Sequence, residues 1–291
     1  MRACAGSSVR SVRPLVGRAA EYGWHQAWRL RNRRFQTKMR AAAQAPAVVL
    51  SPHLDDAVID CWSVLSSPAS VTVVNVFAGV PSRDSLVHWD RLCGADRSAV
   101  FVECRLAEDR EALQLVGREP VNLPLLAKSY RRPHQAPTFR RLDAALTREL
   151  QEVSLVYAPA VLGTVHPDHL LVRSYALALA RSGVPVQLYA DLPYAVTFGW
   201  PHWVTEESPD PHLDVDVHWQ ATAARLPSVG ERERAHVVRL SSKQAQTKLA
   251  AIRTYRTQFP MLNRGPIGLL TNPKIHGFEV FWPLAAEQRS L

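Results

Sequence analysis

Ala47-Val-Val-Leu-Ser-Pro-His-Leu-Asp-Asp-Ala-Val-Ile-Asp60 changes character twice within fourteen residues. Its first four residues are an apolar run as long as a buried strand. Ser51 and Pro52 end that run, because proline lacks an N–H and restricts the residue before it. His53, Asp55 and Asp56 follow at once, and residues 57–65 read as a helix. Three ionisable side chains therefore stand at the carboxyl end of a first strand, where open α/β sheets bind ligands. If the turn enters the helix directly, His53 and Asp56 are three apart and point the same way, while Asp55 projects elsewhere. An imidazole and a carboxylate on one face are two of the three protein ligands that a catalytic zinc site uses. The plainer reading is a helix start, with His53 as cap and both aspartates at its positive end.

A second cluster shifts the balance toward a site. Residues 155–162 are again an apolar run, leading through Gly163 into Thr164-Val-His-Pro-Asp-His169 and a helical stretch over 170–181. His166 and His169 are also three apart, just past a strand and beside a proline. Any one of these histidines alone reads as an ordinary polar residue. Two strand-end clusters of His and Asp do not.

The pairing of Ser-Pro-His53-Leu-Asp55-Asp56 with His166-Pro-Asp168-His169 resembles the LmbE-like, or PIG-L, zinc-dependent N-deacetylases. The resemblance runs from about residue 45 onward. It takes in Trp89-Asp-Arg91, Ala107-Glu-Asp-Arg110, Asp191-Leu-Pro-Tyr194 and the late stretch from Lys248 to Gln258. It implies a Rossmann-like fold and removal of an acyl group, usually acetyl, from N-acetylglucosamine units. Leu54 stands where many members have proline, Ala57 where many have glutamate, and Thr164 where some sugar-amide members have tyrosine. The first two departures leave the metal ligands intact; the third bears on the substrate.

From the ligand types and this resemblance, His53, Asp56 and His169 are expected to hold one Zn²⁺ per chain. Asp55 is expected to act as general base, with zinc and His166 steadying the oxyanion. The resemblance suggests that Asp168 orients His166 and raises its pKa. Arg83, Asp90, Asp191 and Tyr194 follow strand ends and are expected to touch the substrate. That substrate is expected to be a small N-acyl aminosugar or a glycoconjugate. Other readings are a metal phosphoesterase, an amidase on a non-sugar amide, and a silent binding module. Too few carboxylates stand here for a two-metal site, and a pure binder has no need of Asp55.

The formal charge of +9 invites a nucleic-acid partner, but its distribution argues against one. Residues 1–44 carry ten Arg or Lys against Glu21, leaving 25 basic and 25 acidic residues in 45–291. The chain therefore divides into a basic N-terminal arm, expected to be disordered, and a balanced deacetylase-like domain over 45–291. Trp24, Trp28 and Phe35 among the arm's arginines would suit weak contact with an anionic surface. No apolar run of signal-peptide or membrane-spanning length appears. Cys4, Cys61, Cys93 and Cys104 lack metal-ligand spacing and read as reduced thiols, which fits a cytoplasmic protein.

Further strands are expected at 71–77, 120–124, 185–190, 235–240 and 278–282, and helices at 98–116, 138–152 and 243–257. The stretch to residue 96 and residues 125–137 read as loops. Residues 197–227 read as an irregular insertion, a candidate lid. The alternation implies a single α/β domain: a three-layer sandwich around a mainly parallel sheet, helices on both faces. No glycine-rich dinucleotide fingerprint follows the first strand, so the fold does not imply NAD.

Overall fold

The computed structural model describes residues 46–82, 85–163, 165–207, 212–224, 234–263 and 268–284. The expected arm over 1–44, Arg83 and Thr164 lie outside these.

Seven strands form one sheet in the order β3-β2-β1-β4-β5-β7-β6. They are β1 Ala47–Ser51, β2 Val71–Asn75, β3 Pro120–Asn122, β4 Leu155–Pro159, β5 Val186–Tyr189, β6 His236–Arg239 and β7 Phe278–Leu284. The first five run parallel, and β7 is antiparallel to both β5 and β6. All five residues of β1 are buried, as a central strand covered on both faces requires. The pattern is a mostly parallel α/β sandwich of Rossmann-like type, as the alternation implies.

The strand order creates the site. β1 pairs with β2 on one side and β4 on the other, so the chain reverses direction across the sheet at β1. Crossovers leaving a central strand toward opposite edges open a crevice at the carboxyl ends. With Val49 beside Tyr157, the turn after β1 and the turn after β4 emerge side by side.

Helices α1 (Asp56–Asp60) and α2 (Trp62–Leu65) follow β1, broken at Cys61 where one continuous helix is expected. The Glu279 carboxylate of β7 accepts the Trp62 and Ser63 N–H groups at 2.7 and 2.9 Å, capping α2 from a distant strand. Buried Lys248 pairs with Glu279 at 2.8 Å, so this cap carries its own counter-charge. The loop expected up to residue 96 contains a short α3 (His88–Leu92), followed by α4 (Ser98–Gln114). Helix α5 (Phe139–Leu146) ends well before residue 152, where Thr147 folds its hydroxyl back onto the Asp143 carbonyl. Helix α6 is Pro167–Arg181.

The insertion over 197–227 is more regular than expected: it holds α7 (His202–Thr205) and α8 (Val215–Ala223). A side-chain pair between His202 and Asp216 links the two. Trp219 packs against Trp200, Trp203 and Trp282 at ring-centroid distances of 5.6, 6.2 and 6.3 Å, seating α8 on β7. Helices α9 (Ser242–Thr254), α10 (Phe259–Leu262) and α11 (Pro273–His276) complete the described α-helices. Among the described residues, no helix is long and apolar enough to cross a membrane. Cys61, Cys93 and Cys104 are thiols rather than disulfides.

Candidate metal centre

The turn after β1 is stitched by its own side chains. Ser51 Oγ donates to the His53 carbonyl at 2.6 Å and accepts the Ala57 N–H at 3.1 Å. Asp56 Oδ2 accepts the His53 N–H at 2.7 Å. These bonds fix the entry to α1 and turn His53 and Asp56 to one side. The second motif is built on helix-start chemistry. Pro167 occupies the first turn of α6, and His166, its N-cap, accepts the Asp168 N–H on Nδ1 at 3.2 Å.

The two turns meet. His53 Nδ1 lies 3.0 Å from His169 Nε2, and Asp56 Oδ2 lies 3.7 and 3.5 Å from the same two atoms. Tetrahedral zinc with bonds of about 2.0–2.1 Å separates its ligand atoms by roughly 3.3 Å. The triad's spacing fits that demand, and its donors, two imidazoles and one carboxylate, are a zinc-type set. Wider groupings also bring ligand atoms within 4.8 Å, His53 with His166 and His169, and Asp56 with His169 and Asp191. The first is an all-imidazole set, and in the second Asp191 already pairs with the opposite ring nitrogen of His169.

A carboxylate stands behind each imidazole of the triad. Asp191 Oδ1 lies 2.7 Å from His169 Nδ1, and Asp168 Oδ2 lies 3.1 Å from His53 Nε2. Such partners fix the ring and its tautomer for metal binding. Burial pushes the His169 pKa down, but Asp191 and Asp56 override it and hold the imidazole up at about 10. The pocket thus favours positive charge here, which a divalent ion bound by a neutral imidazole would also supply.

Two expectations change. Asp168 meets the His166 ring through its N–H rather than its carboxylate, whose oxygens go to His53, the Arg131 guanidinium at 2.5 Å and the Lys128 N–H at 2.8 Å. Burial raises the Asp168 carboxyl, yet the His53 bond and these partners bring it down to about 2. Asp168 acts to raise the His166 pKa, but burial, then His53 and His169, outweigh it and push the imidazole down to about 4. Asp191, expected at the substrate rim, is fully buried behind His169. Its backbone is left-handed, φ 76°, and Asp60 Oδ1 accepts the Asp191 and Leu192 N–H groups at 2.9 Å each. Asp60, on α1, therefore clamps the turn that carries Asp191.

A cavity of about 200 Å³ opens over the triad, bordered by Asp55, His166 and Tyr194. The Tyr194 ring stands edge-on to His169 at 5.7 Å. Asp55 is raised to about 6, first by burial and then by the Asp56 charge, with Arg105 3.9 Å away opposing. Asp90 also borders the cavity but is fully buried, its Oδ1 accepting the Tyr130 hydroxyl at 3.0 Å.

Arg105, Tyr130 and Gln258 line the same cavity, and Arg105 and Gln258 were not among the expected site residues. The signal for Arg105 was available. It shares the buried stripe of α4 with Phe101, Val102, Ala112 and Leu113, where an unpaired charge is costly without a purpose.

No family model matches the chain. The 2'-N-acetylparomamine deacetylase of Niallia circulans is 25% identical over 184 residues, spanning 50% of this chain and 66% of that relative. A deacetylase of the teicoplanin biosynthesis pathway, solved as its bog complex, is 26% identical with a TM-score of 0.64. That likeness covers 84% of this chain and all of the neighbour. The zinc-inhibited form of teicoplanin deacetylase Orf2 shares the fold at 24% identity and a TM-score of 0.63, over the same shares. The resemblance carried by the two His and Asp motifs thus extends over the architecture: the chain is similar, in sequence and in fold, to the LmbE-like, or PIG-L, deacetylases.

Proposed function

We propose that this protein is a zinc-dependent hydrolase that removes an N-acyl group, acetyl in the first instance, from an aminosugar-containing small molecule. The observation carrying the proposal is the convergence of His53 Nδ1, Asp56 Oδ2 and His169 Nε2 within 3.0–3.7 Å, beneath a cavity bordered by Asp55 and His166. The relatives' names agree in kind: each is a deacetylase, and one acts on an N-acetylated aminosugar. Thiols at Cys61 and Cys104 fit the cytoplasmic setting that we propose with it.

Bound by the triad, a divalent ion supplies Lewis acidity that makes water nucleophilic near neutral pH and polarises an acyl carbonyl. Asp55, raised to about 6, is ionised at neutral pH yet still basic enough to take a proton from the attacking water. His166 accepts on Nδ1, so its proton sits on Nε2. Held down to about 4 by burial, it is a neutral donor for the charge that develops on the carbonyl oxygen. Collapse of the tetrahedral adduct breaks the C–N bond, and protonated Asp55 returns its proton to the leaving nitrogen. Water and amide become carboxylate and ammonium once the acid formed has passed its proton to the amine, and Asp55 is regenerated. Tyr194 forms a substrate-facing wall, Asp90 backs the cavity through Tyr130, and Asp191 serves the metal rather than the sugar.

The test is release of primary amine from a panel of N-acetylglucosaminides, with and without a chelator. Asp55→Ala is expected to retain zinc and lose turnover by ~10²–10⁴-fold. Near-normal turnover in the zinc-loaded variant would remove Asp55 from the mechanism. Phosphate release from phosphate esters, with no amine from any glycoside, would overturn the reading itself.

A further inference from the structure

One guanidinium reaches the back of the metal centre through the carboxylate of Asp168. Arg131 lies on the loop after β3, and its side chain is only 6% exposed. Burying a guanidinium is costly unless its charge and donors are matched. Three contacts match this one. Its two terminal nitrogens donate to Asp168 Oδ1 and to the Leu126 carbonyl, each at 2.5 Å. Its central carbon stands 4.9 Å from the centre of the Phe77 ring, a cation–π contact.

The Asp168 contact is the one that bears on the metal. Asp168 divides its oxygens: Oδ1 takes Arg131, while Oδ2 takes the Lys128 N–H at 2.8 Å and meets His53 Nε2 at 3.1 Å. A carboxylate held by one oxygen can still turn, because the last torsion of an aspartate side chain is broad. Held at both, Asp168 keeps Oδ2 aimed at His53. With donors from Arg131 and Lys128 on it, Asp168 serves His53 as an acceptor, so the ring proton stays on Nε2. The Nδ1 lone pair then faces His169 Nε2 at 3.0 Å and Asp56 Oδ2 at 3.7 Å. That is the tautomer an ion at the triad needs. Ala127 and Ser129, on either side of Lys128, line the cavity over the triad. The carboxylate behind a metal ligand therefore also seats part of the cavity wall.

We infer that Arg131 is a positioning residue for the metal centre: it locks the Asp168 carboxylate so that His53 presents Nδ1 to the ion. This rests on the metal-dependent reading of the triad, and adds to it a residue one side chain removed from the ligands. The contacts to Leu126 and Phe77 serve the loop alone, so the two roles can be separated.

The experiment is a double-mutant cycle of Arg131→Met and Asp168→Ala, with zinc affinity read by competition against a chromogenic chelator. Arg131→Met is expected to weaken zinc binding about tenfold, but by less than about twofold once Asp168 is alanine, because its effect passes through that carboxylate. Unchanged affinity would overturn the inference, and so would an equal loss in both backgrounds. Should Arg131→Met not fold, Arg131→Lys takes its place in the cycle. Lysine keeps the charge but not the fork, and is expected to cost about threefold, again only with Asp168 present. The same two outcomes overturn it. Histidine ¹⁵N spectra of the zinc-free protein, recorded where the ring is neutral and assigned through His53→Gln, give a readout independent of the metal. His53 is expected to carry its proton on Nε2 in wild type and to spread it over both nitrogens in the Arg131 variant. If wild type binds no zinc, the metal reading falls and these spectra decide. A changed His53 tautomer then supports the positioning role, and identical spectra reject it.

Discussion

Asp168 and Asp191 show how much of this centre lies behind the ligands. Each gives an oxygen to the far nitrogen of a triad imidazole, and each is fully buried. Asp191 is in turn fixed by Asp60, whose carboxylate holds its strained backbone in place. Loss of such outer partners typically weakens metal binding 10–100-fold. Asp191→Ala is expected to weaken zinc binding by that factor. Asp60→Ala is expected to do so by releasing the Asp191 turn, although Asp60 touches no ligand. Competition against a chromogenic chelator measures both, with circular dichroism confirming the fold. Unchanged zinc affinity in Asp191→Ala would show the His169 contact to be without consequence for the metal. The ligands were legible in the sequence because i, i+3 spacing next to a strand end fixes a shared direction. The outer partners were not. Asp168 neighbours His169 in sequence and serves His53, a choice made by the crossing of two turns that no spacing encodes.

Among the elements, α4 places charges where a surface helix would place leucines. Asp109, fully buried on its apolar stripe, accepts the Asn75 amide at 2.6 Å and the Tyr255 hydroxyl at 2.8 Å. Burial outweighs these bonds and raises its pKa from 3.8 to about 7. The unfolded chain gives up this proton near pH 4, while the folded chain keeps it to about pH 7. Unfolding therefore releases a proton in that window, and stability falls as pH rises through it, levelling above 7. The full span is on the order of 4 kcal/mol. Asp109→Asn is expected to flatten the decline between pH 4 and 7 in urea titrations. An unchanged slope would assign the pH dependence to other groups. The central strands β1, β2 and β4 were easy to foresee, since each lies in a short, mostly apolar run bounded by proline or a polar turn. Helices α7 and α8 were not: proline, tryptophan and histidine over 197–227 obscure any helical period, and the tryptophan packing that stabilises α8 is tertiary. The antiparallel place of β7 between β5 and β6 is likewise a choice of pairing partner, invisible in β7 itself.

At the scale of the molecule, the centre joins segments 116 residues apart, His53 and His169, only because β1 and β4 are neighbours. The motifs announced a site, and alternation announced the sheet. Their coincidence at the reversal beside β1 explains why two unremarkable turns make one centre. A metal held there ties α1 to α6 across the crevice and binds the folded chain far better than the unfolded one. Zinc at about 1,000 times its Kd would then stabilise the fold by roughly 4 kcal/mol. For a domain of this size each kcal/mol moves Tm by about 2–4 °C, so zinc is expected to raise Tm by on the order of 10 °C. Adding a chelator should reverse the shift. His169→Ala, lacking one corner of the triad, should show little shift at the same zinc concentration. A zinc-dependent rise undiminished in His169→Ala would place the ion elsewhere, and with it the chemistry assigned to Asp55 and His166.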